Sequence, residues 1–220
     1  MADLIVHSLD PVVLVGGSEL GPQDLNILPI ENPCFVGVDA GADHLLAAGI
    51  TPVAVIGDLD SLSANAADAF AGVLHRIDEQ DTVDFEKALT QVTAPLIYAF
   101  GFSGGRLDHS LAVLDVMGRH ARQPVVLVGP DDCAAVLPAG EVTLMGMTVG
   151  ARISILPLAP AQVQAQGLRW AVDQQQMAPL GFSSPSNEIS ATTVTITTDA
   201  PVLLVLRLSD LAQLAAAMMG

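Results

Sequence analysis

Positive charge is what this sequence most lacks: eight Lys and Arg stand against 24 Asp and Glu, a formal net charge of −16 over 220 residues. A field of that sign repels nucleic acid and anionic bilayers, so neither is expected as a partner, while metal cations and cationic small molecules are favoured. Cysteine is nearly absent. Cys34 and Cys133 stand alone, which fits neither a disulfide framework nor a zinc cluster, and both read as buried structural thiols. No apolar run is long enough to cross a bilayer, although 51% of the residues are hydrophobic. The start, Met1-Ala2-Asp3-Leu4, has neither the basic residues nor the apolar stretch of a signal peptide, so the expected address is cytoplasmic. The length suits one large domain or two small ones.

What is present is a series of apolar runs that end in small or acidic residues. Val53-Ala54-Val55-Ile56 reads as a buried strand closed by Gly57, and Asp58-Leu59-Asp60-Ser61 follows. In extended backbone, side chains two residues apart leave on the same side, about 7 Å apart. Asp58 and Asp60 can therefore share one site. Two ionised carboxylates repel unless a divalent cation lies beside them, which points to Mg²⁺; an acidic turn in water, with Ser61 capping the next helix, is the other reading. Upstream, Pro11 to Val15 reads as a strand followed by Gly16-Gly17-Ser18, and Phe35 to Val38 as a strand running into Asp39-Ala40-Gly41. Helices are expected over 43–48, capped by Gly49, and over 64–70, with a strand over 73–77. The segment 78–89 reads as a loop feeding a helix. Asp81 and Asp84 are three apart and share a helix face with Lys87, either as part of the acidic site or as an N-cap with acids at the positive end of the dipole.

Pro95 to Phe100 reads as another strand. It empties into Gly101-Phe102-Ser103-Gly104-Gly105-Arg106-Leu107-Asp108-His109, with a helix on to about Arg122. The glycines offer backbone N–H groups to an anion and Arg106 a fork for phosphate oxygens, although the loop is neither a Walker P-loop nor a dinucleotide fingerprint. A strand over 125–128 follows. The alternation predicts an α/β domain over residues 1–130, a parallel sheet with helices on both faces, with the motif residues at the carboxyl ends of its strands. Beyond it the helical pattern stops. Segments at 141–145, 152–157, 168–172, 189–197 and 202–207 predict a smaller all-β sandwich or barrel over 131–220, ending in a short helix from Asp210. The Gln-rich stretches 161–166 and 174–176 read as loops. Trp170, the only Trp, is placed either to stack on a flat heteroaromatic ring or in the core. His7, His44, His75 and His120 read as solvated or core side chains.

Taken in order, Asp39-Ala40-Gly41, Gly57-Asp58-Leu59-Asp60-Ser61, Gln80-Asp81-Thr82-Val83-Asp84-Phe85-Glu86-Lys87, Gly104-Gly105-Arg106-Leu107-Asp108-His109 and Ser186-Asn187 resemble the motifs of thiamine pyrophosphokinases over nearly the whole chain. The resemblance implies a nucleotide-binding catalytic domain, then a β-sandwich that binds thiamine and forms a homodimer. It also implies transfer of diphosphate from ATP to the hydroxyl of thiamine with Mg²⁺, giving thiamine diphosphate and AMP. Asp58, Asp60 and Asp84 would serve the metal and phosphates; ATP would meet Asp39, Ser61, Gln80, Asp81, Lys87, Gly104, Gly105, Arg106 and His109; Ser186 and Asn187, with Trp170 as a stacking candidate, would hold thiamine. Either Asp108 or a metal-site carboxylate would accept the hydroxyl proton. Val83 stands where the family usually has Thr, and Val113 where it often has Asn. Two further readings stay open: a diphosphokinase for another primary alcohol such as a hydroxymethylpterin, and a non-catalytic dimer that binds nucleotide or thiamine.

Overall fold

The computed structural model describes residues 4–21 and 24–220; residues 1–3, part of the stretch behind the cytoplasmic expectation, lie outside them. The chain forms two compact units. One holds the chain up to Val116 together with Leu127–Gly129, the other Met117–Val126 with Pro130–Gly220. No helix among the described residues is long and apolar enough to cross a membrane.

The elements up to the end of the α/β alternation are β1 (Val6–His7), β2 (Val12–Val15), β3 (Cys34–Val38), α1 (Gly41–Ala47), β4 (Ala54–Gly57), α2 (Ala64–Ala69), β5 (Leu74–Arg76), α3 (Asp84–Gln91), β6 (Val92–Thr93), β7 (Ile97–Phe100), α4 (Leu107–Arg119) and β8 (Val125–Val128). In the first unit, strands in the order β7-β2-β3-β4-β5 pair in parallel throughout, and β1 pairs in parallel with β6. Every residue of β2, β4 and β7 is buried, which is why these strands appear in sequence as unbroken apolar runs rather than alternating ones. Ala42 of α1, Val55 of β4, and Ala66 and Phe70 at α2 form a core cluster, with Leu59 and Leu62 packed against it. Ser63, not Ser61, caps α2: its hydroxyl accepts from Ala66 N–H at 3.2 Å. The helix after the acidic loop starts only at Asp84, with Val83 as an N-cap that supplies no side-chain bond. Asp81 therefore precedes the helix and shares no face with Asp84.

The second unit contains β9 (Asp132–Leu137), β10 (Gly140–Met145), β11 (Arg152–Pro157), β12 (Ala161–Gln166), β13 (Val172–Met177), β14 (Ser184–Glu188), β15 (Thr193–Thr198), β16 (Val202–Arg207) and α5 (Leu211–Met219). Its strands pair antiparallel in the orders β14-β11-β16-β9 and β10-β15-β12-β13. The Gln-rich stretches expected as loops are instead the paired strands β12 and β13. In β12, Ala161, Val163 and Ala165 face inward while Gln162 and Gln166 are exposed, a period of two that fits a half-buried strand whatever the polarity of its outer face. Gln174 Nε2 donates to Gln164 Oε1 across the pair at 2.6 Å. In place of a strand over 168–172 there is one bridge, Leu168 to Ile189.

Candidate active site

Because β3 and β4 run in parallel register, with Val38 opposite Ile56, residues just past their ends emerge side by side. Asp39 N–H carries the pairing one step further, donating to the Ile56 carbonyl at 3.0 Å. Asp39, Asp58 and Asp60 each present a carboxylate oxygen within 4.8 Å of the others. The backbone is bent hard to do this: φ is 48° at Asp39 and 62° at Leu59, left-handed conformations that are expensive for a branched side chain and least so for Asp or Asn. Gly57 sits where a Cβ would come 3.1 Å from Asp39 Cβ, so any other residue would push the two strand ends apart. Leu59 is anchored in the core cluster, which fixes the acidic residues on either side of it.

Asp39 is 8% exposed, and its Oδ1 has no hydrogen-bond partner among the described residues. Burial pushes its carboxyl above the usual range; the Ala40 and Ser61 N–H groups oppose this, and the charges of Asp84 and Asp58 add to it. A buried carboxylate oxygen with no donor is costly in a protein alone. A hard divalent cation is the natural partner for such an oxygen-only set, and the residues present fit Mg²⁺.

One cation of the chain's own is built in beside the cluster. Lys87, on the buried face of α3, has a side chain only 2% exposed, and its ammonium donates to Asp58 Oδ2 at 3.1 Å and Asp84 Oδ1 at 3.0 Å. Burial pulls its pKa down, but Asp84 and Asp58 outweigh this and raise it. Asp58 answers in kind: burial pushes its carboxyl up, yet Lys87, the Asp60 N–H and Gln80 together hold it below the usual range. Gln80 Nε2 reaches Asp58 Oδ2 at 3.3 Å, and Ser61 Oγ donates to Asp60 Oδ1 at 2.8 Å.

Of the residues singled out in sequence, Asp39, Asp58, Asp60, Ser61, Gln80, Asp84 and Lys87 thus form one connected constellation. Asp39 enters it as a member of the carboxylate cluster, and Asp84 as a partner of Lys87. The exposed Asp81 contributes its N–H, which Glu79 accepts at 2.7 Å; Glu79 also takes the Thr82 N–H and hydroxyl. Glu79 is the residue that shapes this loop and was not anticipated. Two residues before Asp81 and three before Thr82, it makes a local side-chain turn that a run of acids conceals. The glycine loop after β7 borders the other strand ends: Ser18 N–H donates to Gly101 C=O at 2.9 Å, and Phe102 lies against Phe85 with ring centroids 4.7 Å apart. Gly104 and Gly105 have φ of 82° and 63°. Arg106 grips Asp108 with both arms, Nε at 3.1 Å and the terminal nitrogen at 2.6 Å, and Asp108 is acidified by it. His109 is exposed in the first turn of α4. Val113 is buried.

In the second unit, Ser186 is exposed, with φ of 54°, and its N–H donates to Ser154 Oγ at 2.9 Å. Asn187 is 3% exposed and uses every polar position it has: Nδ2 donates to Trp170 C=O (2.8 Å) and Ser184 Oγ (3.0 Å), and Oδ1 accepts from Trp170 N–H (3.2 Å) and Glu188 N–H (2.8 Å). Trp170 is not core. The residue is 54% exposed, with the Arg169 guanidinium 5.2 Å from the ring centre. Cys133 is buried, its thiol pushed up to about 12 by burial first, whereas Cys34 is only half-buried.

Phosphate oxygens cannot approach this many carboxylates unaided but can do so through a cation, so fold and site together fit the class of metal-assisted phosphoryl-transfer proteins. Comparison with known proteins gives the family. The family model for the catalytic domain of thiamin pyrophosphokinase matches residues 28–127, and that for its vitamin B1 binding domain matches residues 144–203. Among curated relatives, thiamine pyrophosphokinase of Bacillus subtilis is 27% identical over 189 residues, covering 82% of this chain and 83% of that protein. Thiamine pyrophosphokinase 1 of Arabidopsis thaliana is 28% identical over 170 residues, and the match spans 69% of this chain and 64% of the plant protein's length. The crystal structure of thiamin pyrophosphokinase from Geobacillus thermodenitrificans is 28% identical, with a TM-score of 0.76 over 90% of this chain and 96% of that one. The chain belongs to the thiamin pyrophosphokinase family.

Proposed function

We propose that the chain transfers diphosphate from ATP to the hydroxyl of thiamine, giving thiamine diphosphate and AMP, with Mg²⁺ as the metal. The observation that carries this is the buried, unpartnered Asp39 oxygen beside Asp58 and Asp60, inside the stretch that matches the catalytic-domain family model. The thiamine alcohol attacks the β-phosphorus and AMP leaves, a transfer catalysed by positioning and by neutralising charge on phosphate oxygens. Asp39, Asp58 and Asp60, with Asp84 close by, would hold Mg²⁺, which when bound supplies most of that neutralisation. Lys87 offers a fixed ammonium, braced by two carboxylates. Gln80 and Ser61 steady Asp58 and Asp60, while Asp81, His109, Arg106 and the N–H groups of Gly104 and Gly105 serve the nucleotide. Either Asp108, ion-paired with Arg106, or a metal-site carboxylate accepts the hydroxyl proton.

In this reading residues 1–130 are the catalytic domain and 131–220 the thiamine-binding and dimerisation domain of a cytoplasmic homodimer. The exposed face of Trp170 and the hydroxyl of Ser186 would meet thiamine, whose cationic thiazolium suits an acidic protein. Asn187, saturated by its own fold, acts by fixing the Trp170 backbone. The vitamin B1 match over 144–203 favours thiamine over another alcohol such as a hydroxymethylpterin, and a gathered acid cluster is more than a passive binder needs. Incubating the chain with ATP, Mg²⁺ and each alcohol tests this. AMP formed one-to-one with thiamine diphosphate is expected; ADP with thiamine monophosphate, turnover of the pterin alone, or no turnover overturns it.

A further inference from the structure

The second unit contains a cavity of about 510 Å³, a size typical of small-molecule sites. Its lining includes the guanidinium-bearing Arg119 and Arg122 with His120 between them, and Pro138, Ala139 and Pro201 give it an apolar side. In a chain with eight basic residues against 24 acids, two of the eight line this one concavity. Arg76, Lys87, Arg106, Arg152, Arg169 and Arg207 each sit on a carboxylate. Arg119 lies in the last turn of α4, where the free carbonyls attract a cation without any ligand. Arg122 has no such explanation. It lies three residues past the helix, exposed, and enters no ion pair among the described residues. The turn that carries it is closed by Gln123 N–H donating to His120 C=O at 2.8 Å.

We propose that this cavity binds a small phosphate-bearing molecule, its phosphate on the guanidinium groups of Arg119 and Arg122 and its organic part against Pro138, Ala139 and Pro201. Two forked guanidinium groups beside an imidazole offer more donors than a lone carboxylate can use, and they match the three oxygens and double charge of a phosphate. Elsewhere the acidic field turns such an anion away, so this cavity is where it can settle. The site is independent of the acidic cluster and of the reaction proposed there.

Arginine labelling of the intact chain by phenylglyoxal, read by peptide mass mapping in the presence of EDTA, tests this without turnover. The probes are inorganic phosphate, AMP and thiamine diphosphate, with adenosine and succinate as controls. Arg122 and Arg119 should label in the free protein and be protected saturably by phosphate-bearing probes and not by adenosine or succinate; the probe that protects at the lowest concentration distinguishes free phosphate from an organic phosphate. Arg122→Ser, at an exposed position, should melt like the parent and weaken protection of Arg119 about tenfold. The proposal is overturned if no probe protects at millimolar concentration, if succinate protects as well as phosphate, if Arg122→Ser leaves protection unchanged, or if Arg122 resists labelling in the free protein.

Discussion

Replacing Lys87 by Met tests whether the ammonium is what holds Asp58 and Asp84 side by side. Met keeps the length of the buried stem and removes only the charge, which lies 3.1 Å from Asp58 and 3.0 Å from Asp84. Removing one partner of a buried ion pair costs about 3–5 kcal/mol. Here the Asp84 side chain is 33% exposed and that of Asp58 13%, so water relieves part of the loss and about 2–3 kcal/mol remains at neutral pH. For a chain of this size that lowers Tm by roughly 5–10 °C. The pH dependence follows from the two shifts. Asp58 is held below its usual range, so its contribution is present above its unfolded pKa and is lost as the pH falls through the folded value. Lys87 is raised, so its contribution is present below its unfolded pKa and is lost as the pH rises through the folded value. The gap between parent and Lys87→Met should therefore be widest between about pH 5 and pH 9 and close on either side. Scanning calorimetry across pH, without divalent cations, measures it; millimolar Mg²⁺ should narrow the gap by returning positive charge to the carboxylates. Adding Asp58→Asn and Asp84→Asn to the variant should recover much of the loss, because no buried charge is then left unpaired. A variant that melts within about 1 °C of the parent at neutral pH, or a gap undiminished at low pH, would refute the reasoning.

Asp39→Asn keeps the left-handed backbone, which Asn tolerates as well as Asp, and removes a buried charge that burial disfavours. Without Mg²⁺ it should melt higher than the parent by a margin that grows as the pH rises through the raised carboxyl range, while diphosphate transfer falls by orders of magnitude. Val83→Thr gives α3 the side-chain cap it lacks, at an N-cap already in extended backbone (φ −76°, ψ 155°) with Glu86 three residues on; about 1 kcal/mol, or 2–4 °C in Tm, should be gained. Asn187→Ala strands the Trp170 N–H and carbonyl, the Ser184 hydroxyl and the Glu188 N–H. It should cost about 2–4 kcal/mol and shift the emission of Trp170, whereas a residue that only touched ligand would leave both melting and emission of the free protein unchanged.

The carboxyl-end position of the acidic residues was legible because β2, β4 and β7 are apolar runs with hard stops. Which strand end lies next to which was not. Asp39 and Asp58 are neighbours only because β3 and β4 are adjacent in the order β7-β2-β3-β4-β5, and local pattern says nothing about that order. Asp81 was drawn onto the helix by three-residue spacing, whereas the true start falls at Asp84 after an uncapped Val83, with Glu79 holding the loop instead. The second unit was legible as β-rich but blurred in detail. Gln-rich β12 and β13 offend strand propensity, and only the alternation of small apolar residues with Gln gives β12 away. Asn187 sits in Ser184-Pro185-Ser186-Asn187-Glu188, which reads as a polar loop. Its burial comes from a turn 17 residues away, at Trp170.

The charge of the site and the geometry of its backbone share one cause. Three carboxylates are pressed together by strained residues at Asp39 and Leu59, an arrangement that costs free energy in the protein alone and is tolerated because the strands β2, β4 and β7 of the sheet below it are buried along their whole length. Lys87 offsets part of that cost for Asp58 and Asp84, to which its ammonium donates, while Asp39 Oδ1 keeps no partner among the described residues. The lysine therefore supports the cluster without satisfying it. A second positive charge is still wanted at the Asp39 side, and a cation that binds there stabilises the fold in proportion to its own affinity. Were Lys87 long enough to reach Asp39 as well, the orphan oxygen would have its donor, and the site would have less attraction left for a metal or for the phosphates a metal carries.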